Sequence, residues 1–169
     1  MEVRREQGDD FAAIDAINTA AFEREGEARL VRALRELPGA ISLVAVDEEG
    51  TIVGHIAFSR VTVDGRKFAA PPLGLGPMSV LPERQNQGIG TDLVRAGLEQ
   101  CRAAGAPFVV VLGHPDYYPR FGFVPASRYG LRCEWDVPDE VFLAQPLVEG
   151  ALADAGGLVR YARQFATTL

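Results

Sequence analysis

The chain has 169 residues, 47% of them hydrophobic and 24% charged, and a net charge of −6. That length suits one domain, residues 1–169, with a sizeable core, and the acidic balance argues against nucleic acid, whose phosphates are held mainly by Lys and Arg. No apolar run approaches the ~20 residues of a membrane span, and the start, Met1-Glu2-Val3-Arg4-Arg5-Glu6, has no apolar stretch after its charges, so neither membrane nor secretory signal is expected and the cytoplasm is the expected location.

Phe11, Ile14, Ile17 and Ala21 recur at helical spacing behind Asp9 and Asp10, either of which can cap a first turn. Leu30, Val31, Leu34 and Leu37 repeat the pattern until Pro38-Gly39 stops it, so a second helix follows closely. From Ile41 the pattern turns β-branched: Ile41 to Val46, a turn at Asp47-Glu48-Glu49-Gly50, then Thr51 to Val63, which reads as a hairpin. After the Asp64-Gly65 turn, Pro71-Pro72 opens a strand that reaches Val80 and ends at Pro82. Leu93, Val94, Gly97, Leu98, Cys101 and Ala104 form one face of a helix over 88–104, with Asp92, Arg95, Glu99 and Arg102 on the other. Val109-Val110-Val111-Leu112 has the unbroken apolar character of a strand buried on both faces, so the helix joins strands 73–80 and 108–113 as a βαβ crossover. Further strands are expected near Phe142–Leu147 and Val159–Phe165. Cys101 and Cys133 lack CxxC spacing and make no familiar zinc signature with His55 and His114, so neither disulfide nor metal is expected.

Between the strand ending near Val80 and the helix beginning near Gly88 lies Pro82-Glu83-Arg84-Gln85-Asn86-Gln87-Gly88-Ile89-Gly90-Thr91. A strand-to-helix turn aims unpaired N–H groups and the positive end of the helix dipole at one spot, and glycines let an anion approach the backbone. No Lys-Ser or Lys-Thr follows the glycines and the spacing is not GxGxxG, so nucleoside triphosphates and NAD are disfavoured. A plain glycine turn remains the alternative on this loop alone. Past the buried strand comes His114-Pro115-Asp116-Tyr117-Tyr118-Pro119-Arg120-Phe121-Gly122-Phe123, where Asp116 can cap a short helix and hold Tyr118 near the carboxyl ends of the parallel strands, the place where ligands of such sheets bind.

These two segments resemble the GNAT superfamily of N-acetyltransferases. Residues 78–91 resemble its strand and QxxGxG coenzyme A loop, here Gln85, Gly88 and Gly90, and residues 118–123, Tyr-Pro-Arg-Phe-Gly-Phe, resemble its YxxxGF segment. Where many members have Asn and Ala seven and four residues before the tyrosine, this chain has Val111 and His114. The resemblance implies an α/β fold: a mixed, mostly antiparallel twisted sheet with one parallel βαβ crossover, flanked by helices. It implies acetyl-coenzyme A as co-substrate, without a metal, bound by Met78, Ser79, Val80, Gln85, Asn86, Gln87, Gly88, Ile89, Gly90 and Thr91. The pantetheine arm would lie between splayed strands, along the backbone of Met78 and Val80, and Tyr118 would be the general acid toward the departing thiolate. The acceptor it implies is a primary amine of a small molecule or peptide, its pocket walled by Phe22 to Glu27 and the C-terminal segment, and a homodimer is left open. His55, inside a strand, reads as a core histidine rather than a base. Two alternatives remain: a non-catalytic acyl-coenzyme A binding or regulatory module, and transfer of a larger acyl group.

Overall fold

The structure is a computed structural model and describes residues 1–168. In chain order it holds β1 (Glu2–Arg5), α1 (Phe11–Phe22), α2 (Gly26–Arg35), β2 (Ile41–Val46), β3 (Ile52–Arg60), β4 (Thr62–Val63), β5 (Leu73–Val80), α3 (Ile89–Ala103), β6 (Phe108–Leu112), β7 (Val124–Pro125), β8 (Leu131–Cys133), β9 (Phe142–Pro146), β10 (Gly157–Arg160) and α4 (Gln164–Thr168). The chain gathers into two compact units: one of Met1–Phe58, Gly76–Gly97 and residues 163–168, the other of Ser59–Leu75 and Leu98–Ala162. Strands β3 and β5 and helix α3 each pass from one unit into the other. Among the described residues no helix is long and apolar enough to cross a membrane.

In the first unit the strand order is β1-β2-β3-β5. β1 runs antiparallel to β2 from Glu2↔Val46 to Arg5↔Leu43, and β2 antiparallel to β3 from Ile41↔Phe58 to Val46↔Ile52, with a slip of register at Ala45/Val46. Successive strand residues face opposite sides, and β3 uses both. Gly54 faces α3: a Cβ there would stand 2.9 Å from Ile89 Cγ2 and 2.9 Å from Leu93 Cδ1. His55, on the other face, meets Asn18 of α1. Val44 of β2 joins Ile14 of α1 and Val31 of α2 in one apolar cluster, all three at most 2% exposed. Along α3 the helical counterpart of Gly54 is Gly97, whose Cβ would fall 2.4 Å from Phe58 Cε1. Two missing methyl groups, one on the strand and one on the helix, thus set how closely α3 can approach β3.

In the second unit β5 contributes Leu73–Leu75, paired in parallel with Val109–Val111 of β6. β6 is antiparallel to β9, and β9 to β7. β4, β10 and β8 form a separate three-stranded sheet, antiparallel between β4 and β10 and parallel between β10 and β8. Phe108, Val109 and Val110 are fully buried, as their unbroken apolar run required. The fold is therefore the mixed, mostly antiparallel α/β arrangement expected, with a second parallel pair, β8–β10, beside the crossover pair. Three local expectations change. Thr51 to Val63 is not one strand, because Val61 donates its N–H to Pro72 and the chain then enters the other sheet as β4. The strand expected over Val159–Phe165 ends at Arg160, and residues 164–168 are helical. The cap expected from Asp9 or Asp10 takes another form: a 3-10 turn over Gly8–Asp10 precedes α1, and the Asp10 carboxylate accepts the Gln7 N–H at 2.7 Å and pairs with Arg4 at 2.7 Å.

One buried polar chain crosses the first unit. The Asn18 amide donates to the Ile14 carbonyl (3.0 Å) and to Nδ1 of His55 (3.3 Å), leaving the His55 proton on Nε2, which donates to Ser42 Oγ at 2.7 Å. Ser42 then donates to the Glu6 carboxylate, which Arg35 holds at 2.6 Å. Burial lowers the His55 pKa to about 4, with Glu6 pulling upward and Arg35 downward. An unfolded chain takes up this proton near pH 6.5, the folded one only near 4, so stability is lost as pH falls from about 6.5 to about 4, by on the order of 3 kcal/mol. Denaturant unfolding between pH 7 and pH 4.5 is expected to show that slope, and His55→Gln to flatten it; equal slopes in the two proteins would assign the titration elsewhere.

Candidate active site

The residues read as a coenzyme loop all fall in the first unit. β5 alternates along its second half: Pro77 and Ser79 are buried, while Gly76, Met78 and Val80 are half-buried. The strand therefore presents the backbone and side chains of Met78 and Val80 on its more open face. Ser79 is 3% exposed, and its hydroxyl has no hydrogen-bond partner among the described residues. At the end of the strand Leu81 donates its N–H to Val53 of β3 at 3.0 Å, and the 3-10 turn Pro82–Arg84 closes with Arg84 N–H on the Leu81 carbonyl at 2.8 Å. Gln85 is exposed, and its side-chain amide turns back to the Val80 carbonyl at 3.1 Å, so this glutamine braces the loop against the strand.

Asn86 (φ 64°) and Gly88 (φ 86°) then take left-handed backbone, and nothing lies within 4 Å of where a Gly88 Cβ would be. The first N–H of α3 accepted within the helix is that of Asp92, on the Gly88 carbonyl at 3.1 Å. Ile89, Gly90 and Thr91 precede it and by helix geometry have no intrahelical acceptor. Ile89 is buried against β3 at 3% exposure, while Gly88 is exposed and Gly90 half-buried. Open glycine backbone, orphan donors and the positive end of a 15-residue helix meet at one place, which is the arrangement that holds phosphate oxygens. The loop fits a pyrophosphate.

Tyr118 lies in the second unit. It opens the 3-10 turn Tyr118–Phe121, which begins after Tyr117 rather than at Asp116. Asp116 instead donates its N–H to Nδ1 of His114 at 3.2 Å. The Tyr118 ring lies across Gly113 at the end of β6, where a Cβ would stand 2.1 Å from its Cε2, and it packs edge-on to Tyr117 and Phe123 with centroids 5.1 and 5.7 Å apart. It is 7% exposed, and burial pushes its acidity well below that of an ordinary tyrosine, with Tyr117 adding to the effect. Tyr118 therefore keeps its proton at any working pH and can offer it as a hydrogen bond.

Three groups with the residue type of a catalyst are committed elsewhere. His55 is fully buried with both ring nitrogens engaged. Glu27, in the segment expected to wall an acceptor pocket, is bound by Arg24 Nε at 2.9 Å, and Glu25 pairs with Arg29. A hollow of about 290 Å³ is lined by Arg24, Glu25, Gly26, Arg29 and Thr168, so residues 24–26 and the C-terminal helix meet there. Among the described residues no group of three or more His, Cys, Asp or Glu could hold a metal ion. The strand-to-helix turn over Gln85–Thr91 and a short helical turn at Tyr118 were legible in the sequence. The polar chain ending at Asn18 and the tie between Asp47 and Arg84 were not, since both join residues more than 30 positions apart.

Residues 2–126 match the family described as "Acetyltransferase (GNAT) domain", and the chain belongs to that family of acetyltransferases. It is 38% identical over 167 residues, 98% of each chain, to the Escherichia coli K12 protein named "Uncharacterized N-acetyltransferase YhbS". The crystal structure of E. coli YhbS in complex with CoA superimposes with a TM-score of 0.90, covering 98% of this chain and 91% of that one. A GNAT acetyltransferase from Brucella melitensis in complex with acetyl-CoA is 37% identical, with a TM-score of 0.78 and 97% of each chain covered.

The Gly113–Tyr118 contact can be tested by substitution. Gly113→Ala is expected to destabilise the fold by about 1–3 kcal/mol, the usual cost of overpacking, and to cost much less in a Tyr118→Ala background, as read from denaturant unfolding. Equal costs in both backgrounds would mean that the ring does not occupy that space.

Proposed function

We propose that the protein is an acetyl-coenzyme A-dependent N-acetyltransferase that acts on a primary amine of a small molecule or peptide by direct attack on the thioester, in the cytoplasm. The observation that carries the reading is the Gln85–Thr91 loop, with left-handed backbone and open space at Gly88 ahead of the orphan donors of α3. Asn86, Gln87, Gly88, Ile89, Gly90 and Thr91 would hold the pyrophosphate through backbone N–H groups. Met78, Ser79 and Val80 would offer strand backbone to the pantetheine arm, with Gln85 keeping the Val80 carbonyl in register. The coenzyme-bound relatives from E. coli and B. melitensis support this assignment.

Tyr118 would act on the leaving sulfur. An ordinary tyrosine, with pKa about 10, is already a weaker acid than a thiol near ~8.5, and burial weakens Tyr118 further. Complete proton transfer before the C–S bond breaks is therefore uphill, and the useful role is a hydrogen bond that strengthens as negative charge grows on sulfur. The acceptor amine, with pKa about 10.4 when free, must arrive neutral or lose its proton on the way. His55 is not its base, because its two nitrogens are already engaged in the core. Bringing amine and thioester together supplies the larger part of the acceleration, up to ~7–11 kcal/mol in well-oriented cases.

Titration with acetyl-coenzyme A, following heat and the appearance of free thiol with a panel of small amines and lysine peptides, is expected to give binding and amine-dependent thiol release. Tyr118→Phe should slow turnover by roughly 10²-fold with coenzyme affinity kept. Binding without thiol release from any amine would favour a non-catalytic acyl-coenzyme A module, and an unchanged rate in Tyr118→Phe would remove that residue from the chemistry.

A further inference from the structure

Arg84 stands just ahead of the Gln85–Thr91 loop, and its guanidinium is engaged in two directions. Nη1 donates to Asp47 Oδ2 at 3.2 Å, and Nε donates to Gln87 Oε1 in the middle of the loop at 3.2 Å. Asp47 belongs to the turn between β2 and β3 and is itself tightly held. Its Oδ1 accepts the N–H groups of Glu49 and Thr51, each at 2.9 Å, and its own N–H donates to the Thr51 carbonyl at 2.9 Å. The Thr51 N–H above all, with help from Arg84 and Glu49, keeps the Asp47 carboxyl below the usual carboxylate range. The pair is sheltered rather than free on the surface, with the Asp47 side chain 15% exposed and that of Arg84 34%. A tether thus runs from a hairpin turn, through one guanidinium, to the side chain of Gln87.

The residues beyond the tether need it. Asn86 and Gly88 hold left-handed backbone, and Asn86 is not a glycine, so the loop has other conformations open to it when it is not restrained. A loop ordered before its ligand arrives binds more tightly than one that must be ordered on binding. We propose that Asp47 and Arg84 are positioning residues that hold the loop in its phosphate-accepting shape, so that a residue in the β2–β3 turn sets the affinity for coenzyme A without touching it. This inference rests on the reading that Gln85–Thr91 receives the pyrophosphate. It differs from an ordinary surface ion pair, whose loss changes little, because its effect appears in ligand affinity and not in stability.

Two substitutions separate the tether from the turn. In Asp47→Asn the side-chain oxygen can still accept from Glu49 and Thr51, but an amide replaces the oxygen that faces Arg84. Arg84→Met keeps the aliphatic stem and removes the guanidinium. Calorimetric titration of the full chain with coenzyme A is expected to show each single variant binding roughly tenfold more weakly, equivalent to about 1.4 kcal/mol. The double variant should bind about as well as either single one, because both cut the same tether. The midpoint of thermal unfolding should stay within about 1 °C of the parent, under the ~2–4 °C that 1 kcal/mol of stability would move it in a chain of this size. Unchanged affinity, or losses that add in the double variant, would overturn the tether while leaving the coenzyme reading intact. A lowered unfolding midpoint with unchanged affinity would make the pair purely structural. No binding by the parent protein would overturn the coenzyme reading and the tether with it.

Discussion

The close approach of α3 to β3 is the constraint on which the first unit depends. A helix N-terminus can serve as an anion site only if its first turn is held still and its free N–H groups stay open to solvent. Ile89 and Leu93, in the first two turns of α3, press against the bare backbone of Gly54, and further along the helix Phe58 fills the space left by Gly97. The apolar side of α3 is thereby seated while the Gly88 side remains open. β5 delivers the chain to that point, and Leu81 on Val53, Arg84 on Leu81 and Gln85 on Val80 hold the intervening turn by backbone and side-chain hydrogen bonds. Each of these bonds is modest, of order 1 kcal/mol net. Together they hold a loop whose backbone would otherwise sample other shapes.

Burial acts differently on two polar side chains of this protein, His55 and Tyr118. His55 has the residue type of a general base, but its position makes it structural, since both nitrogens are engaged and Ser42 and Glu6 carry the chain of bonds on to Arg35. Its contribution is to join α1, α2, β2, β3 and Glu6, just past β1, through a network whose members would be costly to bury unpaired. Tyr118 is almost as buried, yet it sits on a glycine and among aromatic rings. Burial there keeps a proton on the oxygen. The same desolvation that makes His55 unreactive makes Tyr118 a dependable donor.

The order of helices and strands could be read from the chain because apolar period and turn residues agree along most of it. Val109–Leu112 and the stripe from Leu93 to Cys101 are clear signals, and the turn at Gln85–Gly90 was recognisable because its residues are contiguous in sequence. What escaped was either too short or too distant. β1, Glu-Val-Arg-Arg, has three charged residues in four and becomes a strand only because β2 supplies a partner edge. β7 and β8 are two and three residues long. After Arg160 the apolar pattern continued, but the ladders with β4 and β8 had ended, so the continuation became loop and helix. The role of Gln85 was visible only in part, since its amide braces the strand it follows.

The chain changes unit at Phe58/Ser59, at Leu75/Gly76, at Gly97/Leu98 and at Ala162/Arg163. Three of these changes fall inside or beside a regular element, within β3, β5 and α3, rather than in linkers. A single genetic crossover anywhere between residues 59 and 162 would therefore carry over fragments of both units and a complete copy of neither. The two units are inherited as one object, so a single crossover within that span cannot exchange the unit that carries Gln85–Thr91 for that of another protein.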